Sequence, residues 1–314
     1  MELSPSVRRR RLLQSMLAIG SGALLPAAAD AAGPAASAAP LSRPIPSTGE
    51  ALPLIGLGSW VTFNVGDDPA ARAACADVMR HFFAAGGRLI DSSPMYGSAQ
   101  EVIGDGLRRL GKPARLFSAD KVWIGSGARG PEQIETSRRH WGVAAFDLLQ
   151  VHNLLAWQEH LPALFSMKAA RRLRYVGITT SEGRRHADIL KIMAREPIDF
   201  VQVTYNIADR EVEQRILPLA RERGIAVIAN RPFRRGALIE ALERHRLPAW
   251  AAQIDCASWA QFLLKFIVSH PAITCAIPAT SNVAHVRENM QAASGNLPDA
   301  ALRQRMAEHV AALL

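Results

Sequence analysis

From Ile55 onward, short apolar β-rich runs recur eight times, each separated by a stretch with helical spacing. The runs are Ile55–Gly58, Arg88–Asp91, Leu116–Asp120, Leu148–Val151, Tyr175–Thr179, Phe200–Tyr205, Ile225–Ala229 and Thr274–Pro278. Most are almost continuously apolar, as parallel strands covered on both faces are. Between them, Ala71, Ala74, Cys75, Val78, Met79, Phe82 and Phe83 follow the spacing of an amphipathic helix, and Trp259, Phe262, Leu263, Phe266 and Ile267 repeat it. Gly86-Gly87 and Gly224 stand where a helix should stop, and Pro271 ends the second helix in a similar way. Such alternation builds a closed barrel or a doubly wound sheet. The eight-fold count favours the barrel. No Gly-x-Gly-x-x-Gly follows the first run, since Gly56-Leu57-Gly58 continues into Ser59-Trp60-Val61. That absence weakens a dinucleotide-binding doubly wound sheet. The expected fold is therefore an α/β (β/α)8 TIM barrel over residues 43–314. Arg43 to Leu54, turning at Ser47-Thr48-Gly49, reads as a hairpin that closes the bottom of the barrel. The long stretch Asn230 to Asp255, with a helical piece near Leu238–Arg244, should lie on the carboxyl face, where it can cover a ligand.

The N-terminus reads differently. Arg8 to Arg11 form a basic run, Leu12 to Leu25 is small and apolar, and an Ala-rich tract follows. This is the outline of a secretory signal peptide over 1–32, with a flexible Ala/Pro-rich segment over 33–42. The apolar part is shorter than the ~20 residues that span a bilayer, so a retained anchor is the weaker alternative and no stable membrane insertion is expected after cleavage. Arg9-Arg10-Arg11-Leu12-Leu13 looks like a twin-arginine signal, which implies the twin-arginine export machinery as a transport partner and a periplasmic or secreted location. An ordinary Arg-rich secretory start is the alternative. The net charge of +9 raises the question of nucleic acid. The arginines are scattered through helical stretches with no binding motif, so no nucleic-acid partner is expected. Cys75, Cys256 and Cys275 are too few for a disulfide framework, and Cys75 and Cys275 read as core residues.

Catalytic groups of a barrel sit at the carboxyl ends of its strands. Four polar residues fall there. Asp91 ends the second run, Tyr96 follows it, Lys121 ends the third and His152 the fourth. Taken singly, each has a plain alternative. Asp91 with Lys121 can be a structural ion pair, His152 a hydrogen-bonded core histidine, and Tyr96 a loop aromatic. Their position at successive strand ends is what makes them converge.

Here the sequence resembles the aldo-keto reductases. Asp91, Tyr96, Lys121 and His152 match that family's catalytic tetrad in order and local context, and the resemblance runs from about Leu52 to Ala293. Gly56-Leu57-Gly58-Ser59-Trp60 looks like the family's first strand and Gly177-Ile178-Thr179-Thr180 like its fifth. Ile277-Pro278-Ala279-Thr280-Ser281 through Arg287-Glu288-Asn289 looks like its cofactor segment. The resemblance implies an enzyme that passes hydride from a nicotinamide cofactor to a small carbonyl substrate, with no metal. The chemistry is consistent with the residues. A phenol titrates near ~10, and a nearby cation lowers that value. Lys121 can supply the cation while Asp91 holds it. A positioned general acid contributes roughly 10²–10⁴-fold. His152 can bind the carbonyl oxygen.

The same resemblance places Thr179, Thr180 and Gln202 around the nicotinamide amide. Many members carry Ser-Asn where Thr179-Thr180 stand, and a stacking aromatic where this chain has Asn230-Arg231-Pro232-Phe233. Arg231, Arg234 or Arg235 can clamp the pyrophosphate, with plain surface charge the alternative for the last two. The 2′-phosphate end maps to Thr280, Ser281, His285 and Asn289. Lys and Arg are common in NADP-selective relatives where Ala279 and His285 stand. NADP(H) is therefore expected to be preferred modestly, with NAD(H) possible. Trp60 and Trp123, with Phe63 and Trp157 as further candidates, are expected at the substrate mouth. Two rival readings are a nicotinamide-binding redox-sensing or partner-binding barrel with incidental turnover, and a Schiff-base lyase using Lys121.

Overall fold

Side chains alternate along each barrel strand, and in this molecule both faces are buried. In a computed structural model, residues 39–111 and 113–314 are described, all within the compact unit Ser37–Leu314. The expected leader (1–32) and residues 33–38 lie outside them.

The hairpin comes first. β1 (Ser42–Pro44) pairs antiparallel with β2 (Ala51–Pro53). The barrel follows as β3 (Leu57–Gly58), α1 (Pro69–Ala84), β4 (Leu89–Asp91), α2 (Ala99–Arg109), β5 (Phe117–Val122) and α3 (Gly130–Trp141). It continues as β6 (Leu148–His152), α4 (Trp157–Ala169), β7 (Tyr175–Thr179), α5 (His186–Arg195), β8 (Phe200–Thr204), α6 (Ile216–Arg223) and β9 (Ala226–Asn230). Then come α7 (Ala237–Leu242), α8 (Trp259–Val268), β10 (Cys275–Ala276), α9 (Val283–Gln291) and α10 (Ala300–Ala311). Strands β3 to β10 form one parallel sheet in sequential order. Parallel bridges from Ile55 to Ala276 and from Gly58 to Ala279 join its two edges. The sheet is thus closed into the expected (β/α)8 barrel, with each expected run carrying a strand and no end differing by more than two residues.

Local chemistry explains the elements. Asp68 caps α1 by accepting from the amides of Ala70 and Ala71, and Pro69 sits at the first helical position, where its missing N–H costs nothing. α8 is apolar on nearly every face, and each of its residues but the half-buried Ala260 is enclosed. Even Lys265 is enclosed there, donating to the carbonyls of Ile254, Ser294 and Asn296. Outward residues of the strands (Ile90, Leu149, Val176, Val201, Val227) join the helices in one apolar cluster. Inward residues (Leu89, Phe117, Leu148, Tyr175, Phe200, Ile228) form a second cluster with Ile45 and Leu52 of the hairpin. The hairpin therefore stoppers the amino-terminal end. The three cysteines are buried and free, Cys75 and Cys275 in the core as expected. Among the described residues no helix is long and apolar enough to cross a membrane.

Candidate active site

The inward positions change character along each strand. Four residues beyond apolar Phe117, Leu148 and Tyr175 stand Lys121, His152 and Thr179, and two beyond Leu89 stands Asp91. Register sets them side by side: Lys121 pairs with Gln150, and His152 with Thr179. The side-chain period of two keeps all of them on the inner face.

Lys121 is fully buried and donates to Asp91 Oδ2 (2.6 Å) and to the Ser92 carbonyl (2.7 Å). Asp91 Oδ1 accepts from Gln202 Nε2 (2.9 Å) and Gln150 Nε2 (3.3 Å). The carboxylate is held on both oxygens. The Lys121 ammonium lies 5.0 Å from the centroid of the Tyr96 ring. Burial alone would lower the Lys121 pKa, but Asp91 and Tyr96 raise it above the usual lysine value. The Tyr96 phenol also lies above its ordinary value. Burial raises it, and the opposing pull of Lys121 does not overcome that. The cation thus acts on the phenol in the expected direction, but burial outweighs it, and in this site Tyr96 is a protonated donor.

His152 stands edge-on to Tyr96, with ring centroids 5.7 Å apart. Burial, then the Lys121 charge, push its pKa down to about 2, so the imidazole is neutral. Its Nδ1 hydrogen-bonds Ser93 Oγ at 2.7 Å. Asp120, the outward neighbour of Lys121, is fully buried. Its oxygens accept from the Lys121 amide (2.6 Å) and from Gln100 Nε2 (2.8 Å). Burial nevertheless raises its pKa to about 7. Neither Ser93 nor Asp120 was singled out from sequence. Ser93 lies within the motif around Tyr96 and Asp120 beside Lys121, but only the fold shows which way each side chain points.

A cavity of about 770 Å³ opens over these groups. Trp60, Asp91, Tyr96 and His152 line its floor, and Thr179, Gln202 and Asn230 one wall. Arg231, Pro232, Phe233 and Arg235 come from the segment after β9, with Ile239, Glu240 and Glu243 of its helix and the loop beyond, so that segment does reach over the site. Thr280, His285 and Asn289 line the far end. A second cavity of about 480 Å³ between α3 and α4 holds none of the tetrad.

Other expected site residues lie elsewhere. Trp123 does not line the cavity: its amide and carbonyl are both tied to the Gln133 side chain, and its ring is 40% exposed outside it. Phe63 is fully buried in the core, and Trp157 packs against that core from the start of α4. Ser281 faces solvent, in a turn closed by Thr280 Oγ1 accepting the Asn282 amide. Thr180 is buried behind the wall, its carbonyl accepting from Asn230 Nδ2. Arg234 is drawn away to Asp209 (2.8 and 2.5 Å). Arg231 and Arg235 pair instead with Glu182 (2.6 and 3.0 Å) and lie over the face of Trp60. Ser181 and Arg184, not foreseen, also reach the cavity.

The fit to a dinucleotide can be tested on these residues. Thr179, Gln202 and Asn230 set hydroxyl and amide groups along the cavity wall, a set of donors and acceptors that suits an amide-bearing ring. The guanidiniums of Arg231 and Arg235 suit a diphosphate, and Asn282 opens α9 at the far end of the cavity. The residues present fit the group.

Comparison with known proteins points the same way. The chain is similar to methylglyoxal reductase YeaE of Escherichia coli, 27% identical over 243 residues that span 76% of this chain and 84% of that protein. It is 24% identical to the NADH-specific methylglyoxal reductase of the same organism, across 84% of this chain and 98% of that one. An aldo/keto reductase crystal structure from Klebsiella pneumoniae, in complex with NADP and acetate, shares the fold with a TM-score of 0.71 at 24% identity, covering 83% of this chain and 93% of that one. The Aldo/keto reductase family model matches residues 54–306, nearly the whole barrel. With barrel, polar strand ends and family match in agreement, this chain is a member of the Aldo/keto reductase family.

Proposed function

We propose that this enzyme reduces an aldehyde or ketone to an alcohol, with NADP(H) preferred and NAD(H) accepted, and with Tyr96 as the general acid. The observation that carries this reading is the meeting of a protonated phenol and a neutral imidazole on the floor of one cavity, with a buried ammonium 5.0 Å from the phenol ring. The cofactor, when bound, supplies hydride to the carbonyl carbon. Everything else falls to the chain. Tyr96 delivers the proton to the substrate oxygen, and Lys121 stabilises the tyrosinate left behind. Asp91 keeps the ammonium in place. His152, being neutral, can donate to the same oxygen without competing for the proton. Thr179, Gln202 and Asn230 would orient the nicotinamide, and Arg231 with Arg235 would hold the diphosphate. Thr280, His285 and Asn289 would meet the adenosine end. Strong cations are absent from positions 279 and 285, so the preference for the 2′-phosphate is modest.

The same geometry argues against a Schiff-base lyase. Lys121 is enclosed, charged and doubly hydrogen-bonded, hence a poor nucleophile. The two methylglyoxal-reducing relatives support a small dicarbonyl as a first substrate to try. Trp60, on the cavity floor, is equally suited to an aromatic aldehyde. Oxidation of NADPH with methylglyoxal and with an aromatic aldehyde, alongside Kd values for NADPH and NADH, tests the reading. Tight dinucleotide binding with no turnover of any carbonyl would favour the sensing barrel instead. We further propose export to the periplasm or beyond, supported by Arg9-Arg10-Arg11-Leu12-Leu13, and testable by cell fractionation.

A further inference from the structure

Ser93 is wholly buried and has two tasks in the loop that carries Tyr96. Its carbonyl accepts the Tyr96 amide at 3.0 Å, closing a turn with Pro94 at the second position. Its hydroxyl accepts the Met95 amide at 3.2 Å and meets His152 Nδ1 at 2.7 Å. With an N–H already directed at the hydroxyl oxygen, the hydroxyl hydrogen is free to point at the imidazole. It has no other acceptor among the described residues.

We infer that Ser93 is a positioning residue that selects the tautomer of His152, and so decides whether the site offers the substrate oxygen one hydrogen-bond donor or two. A neutral imidazole carries one N–H, and the partner of one nitrogen fixes the role of the other. Ser93 donating to Nδ1 places the proton on Nε2. The substrate oxygen then meets the Tyr96 O–H and the Nε2–H together, two donors aimed where negative charge develops. The opposite tautomer would present a lone pair to that oxygen and repel it. The groups facing His152 hold this choice in place: the Lys121 ammonium opposes a second proton on the ring, and the Tyr96 ring fixes its edge. One buried serine thus ties together the backbone of the acid and the protonation pattern of its partner.

The inference rests on the carbonyl-reductase reading for its consequence, but not for its first test. NMR of isotope-labelled histidine nitrogens, with the His152 signals identified by their loss in His152→Gln, reads the tautomer of the resting protein. The Nε2–H form is expected, and a protonated Nδ1 would overturn the inference outright. Ser93→Ala should then mix the tautomers and lower kcat between about ten- and a hundred-fold, less than the roughly 10²–10³-fold seen when an oxyanion donor is deleted. KM and the Kd for NADPH should stay within about two-fold, because the Ser93 carbonyl still closes the turn and the cofactor walls are untouched. Ser93→Cys, a weak donor, should fall between the two. An Ala variant that keeps both the Nε2–H signal and full kcat would refute the assignment. If no carbonyl is turned over by the unaltered protein, the functional reading fails while the tautomer result stands.

Discussion

The two ends of the barrel are built from the same strands and do opposite things. At the amino-terminal end, the inward rings of Phe117, Tyr175 and Phe200 pack on one another with centroids 5.4–6.1 Å apart, under the hairpin residues Ile45 and Leu52. At the carboxyl end, Lys121, Thr179 and Thr204 occupy the same face of those strands, four residues on. Four residues of strand amount to about 13 Å. Backbone conformation divides in the same way. Of the eleven non-glycine residues with positive φ among the described residues, ten follow barrel strands at the carboxyl end (Val61, Asn153, Leu154, Ala156, Glu182, Arg185, Arg231, Arg234, Arg235 and Asp255), and one, Arg171 just before β7, lies at the other. Non-glycine residues hold that conformation only where their surroundings impose it, at a cost of order 1–3 kcal/mol each. The apolar end thus supplies stability that the strained, polar end consumes.

The largest effects should expose this division. Tyr96→Phe is expected to lower kcat by at least about 100-fold, as loss of a general acid does, while leaving the melting temperature and the NADPH Kd nearly unchanged. Phe117→Ala should do the reverse. Its ring is fully buried between two others, so its loss should cost about 3–5 kcal/mol in urea unfolding while kcat per folded molecule holds. A Phe117→Ala enzyme that folds but loses most of its kcat would show that the ends are coupled after all.

The division was only half visible in the sequence. Period and apolar runs are properties of local sequence, so the eight strands, the hairpin and the core-facing cysteines were legible directly. Asp91, Tyr96, Lys121 and His152 were legible because strand ends converge in any barrel of this kind. The rest depends on where loops turn. Trp123 follows its strand as closely as Trp60 does, yet Gln133 ties its backbone to α3 and the ring leaves the cavity. Phe63, a few residues beyond Trp60, turns into the core instead. Helix α10, capped by Asp299, carried too weak an apolar stripe to stand out. Ser93 and Asp120 needed the third dimension, because each matters through a partner more than fifteen residues away.

Asp120 sharpens the comparison from within. It lies on the outer face of β5, in the apolar surroundings of the helices, yet touches the catalytic side through Lys121. Burial raises its pKa from 3.8 to about 7, against the pull of the Lys121 amide and charge and of Gln100, with Asp91 adding to the rise. A folded-state value above the unfolded one means that the native protein binds the extra proton. Its stabilising contribution is complete below pH ~4 and is lost as pH rises toward and through about 7. Asp120→Asn removes the proton linkage. The stability of that variant relative to the unaltered protein should therefore improve by about 3 kcal/mol between pH 4.5 and 8 in urea titrations. A constant difference across that range would mean that Asp120 is ionised in the fold, and that the outer face tolerates charge as readily as the inner one.

The smallest effect expected is also the finest test of the polar end. Arg231 and Arg234 are three residues apart in one strained loop, and the sequence distinguishes them only by leaving plain surface charge as an alternative for Arg234. The structure separates them. Arg231 is 19% exposed, borders the cavity and lies 5.6 Å from the Trp60 ring centroid, with its guanidinium on Glu182. Burial and the neighbouring Arg235 charge hold its pKa below the usual arginine value, the mark of a crowded cation short of negative partners. Arg184, Arg231 and Arg235 all share that single carboxylate, so a diphosphate entering the cavity would meet uncompensated positive charge. Arg234 is bound to Asp209, its charge already matched. A charge-assisted hydrogen bond is worth roughly 1.5–3 kcal/mol, part of which is offset by loosening the pair with Glu182. Arg231→Ala should therefore raise the NADPH Kd about ten-fold, or about 1.4 kcal/mol. Arg234→Ala should change it less than about two-fold, within the range of an exposed ion pair. Quenching of Trp60 fluorescence on titration measures both, with Trp60→Phe as the control for signal. Equal losses in the two variants would mean that the loop attracts the dinucleotide through its summed charge and that no particular guanidinium grips it.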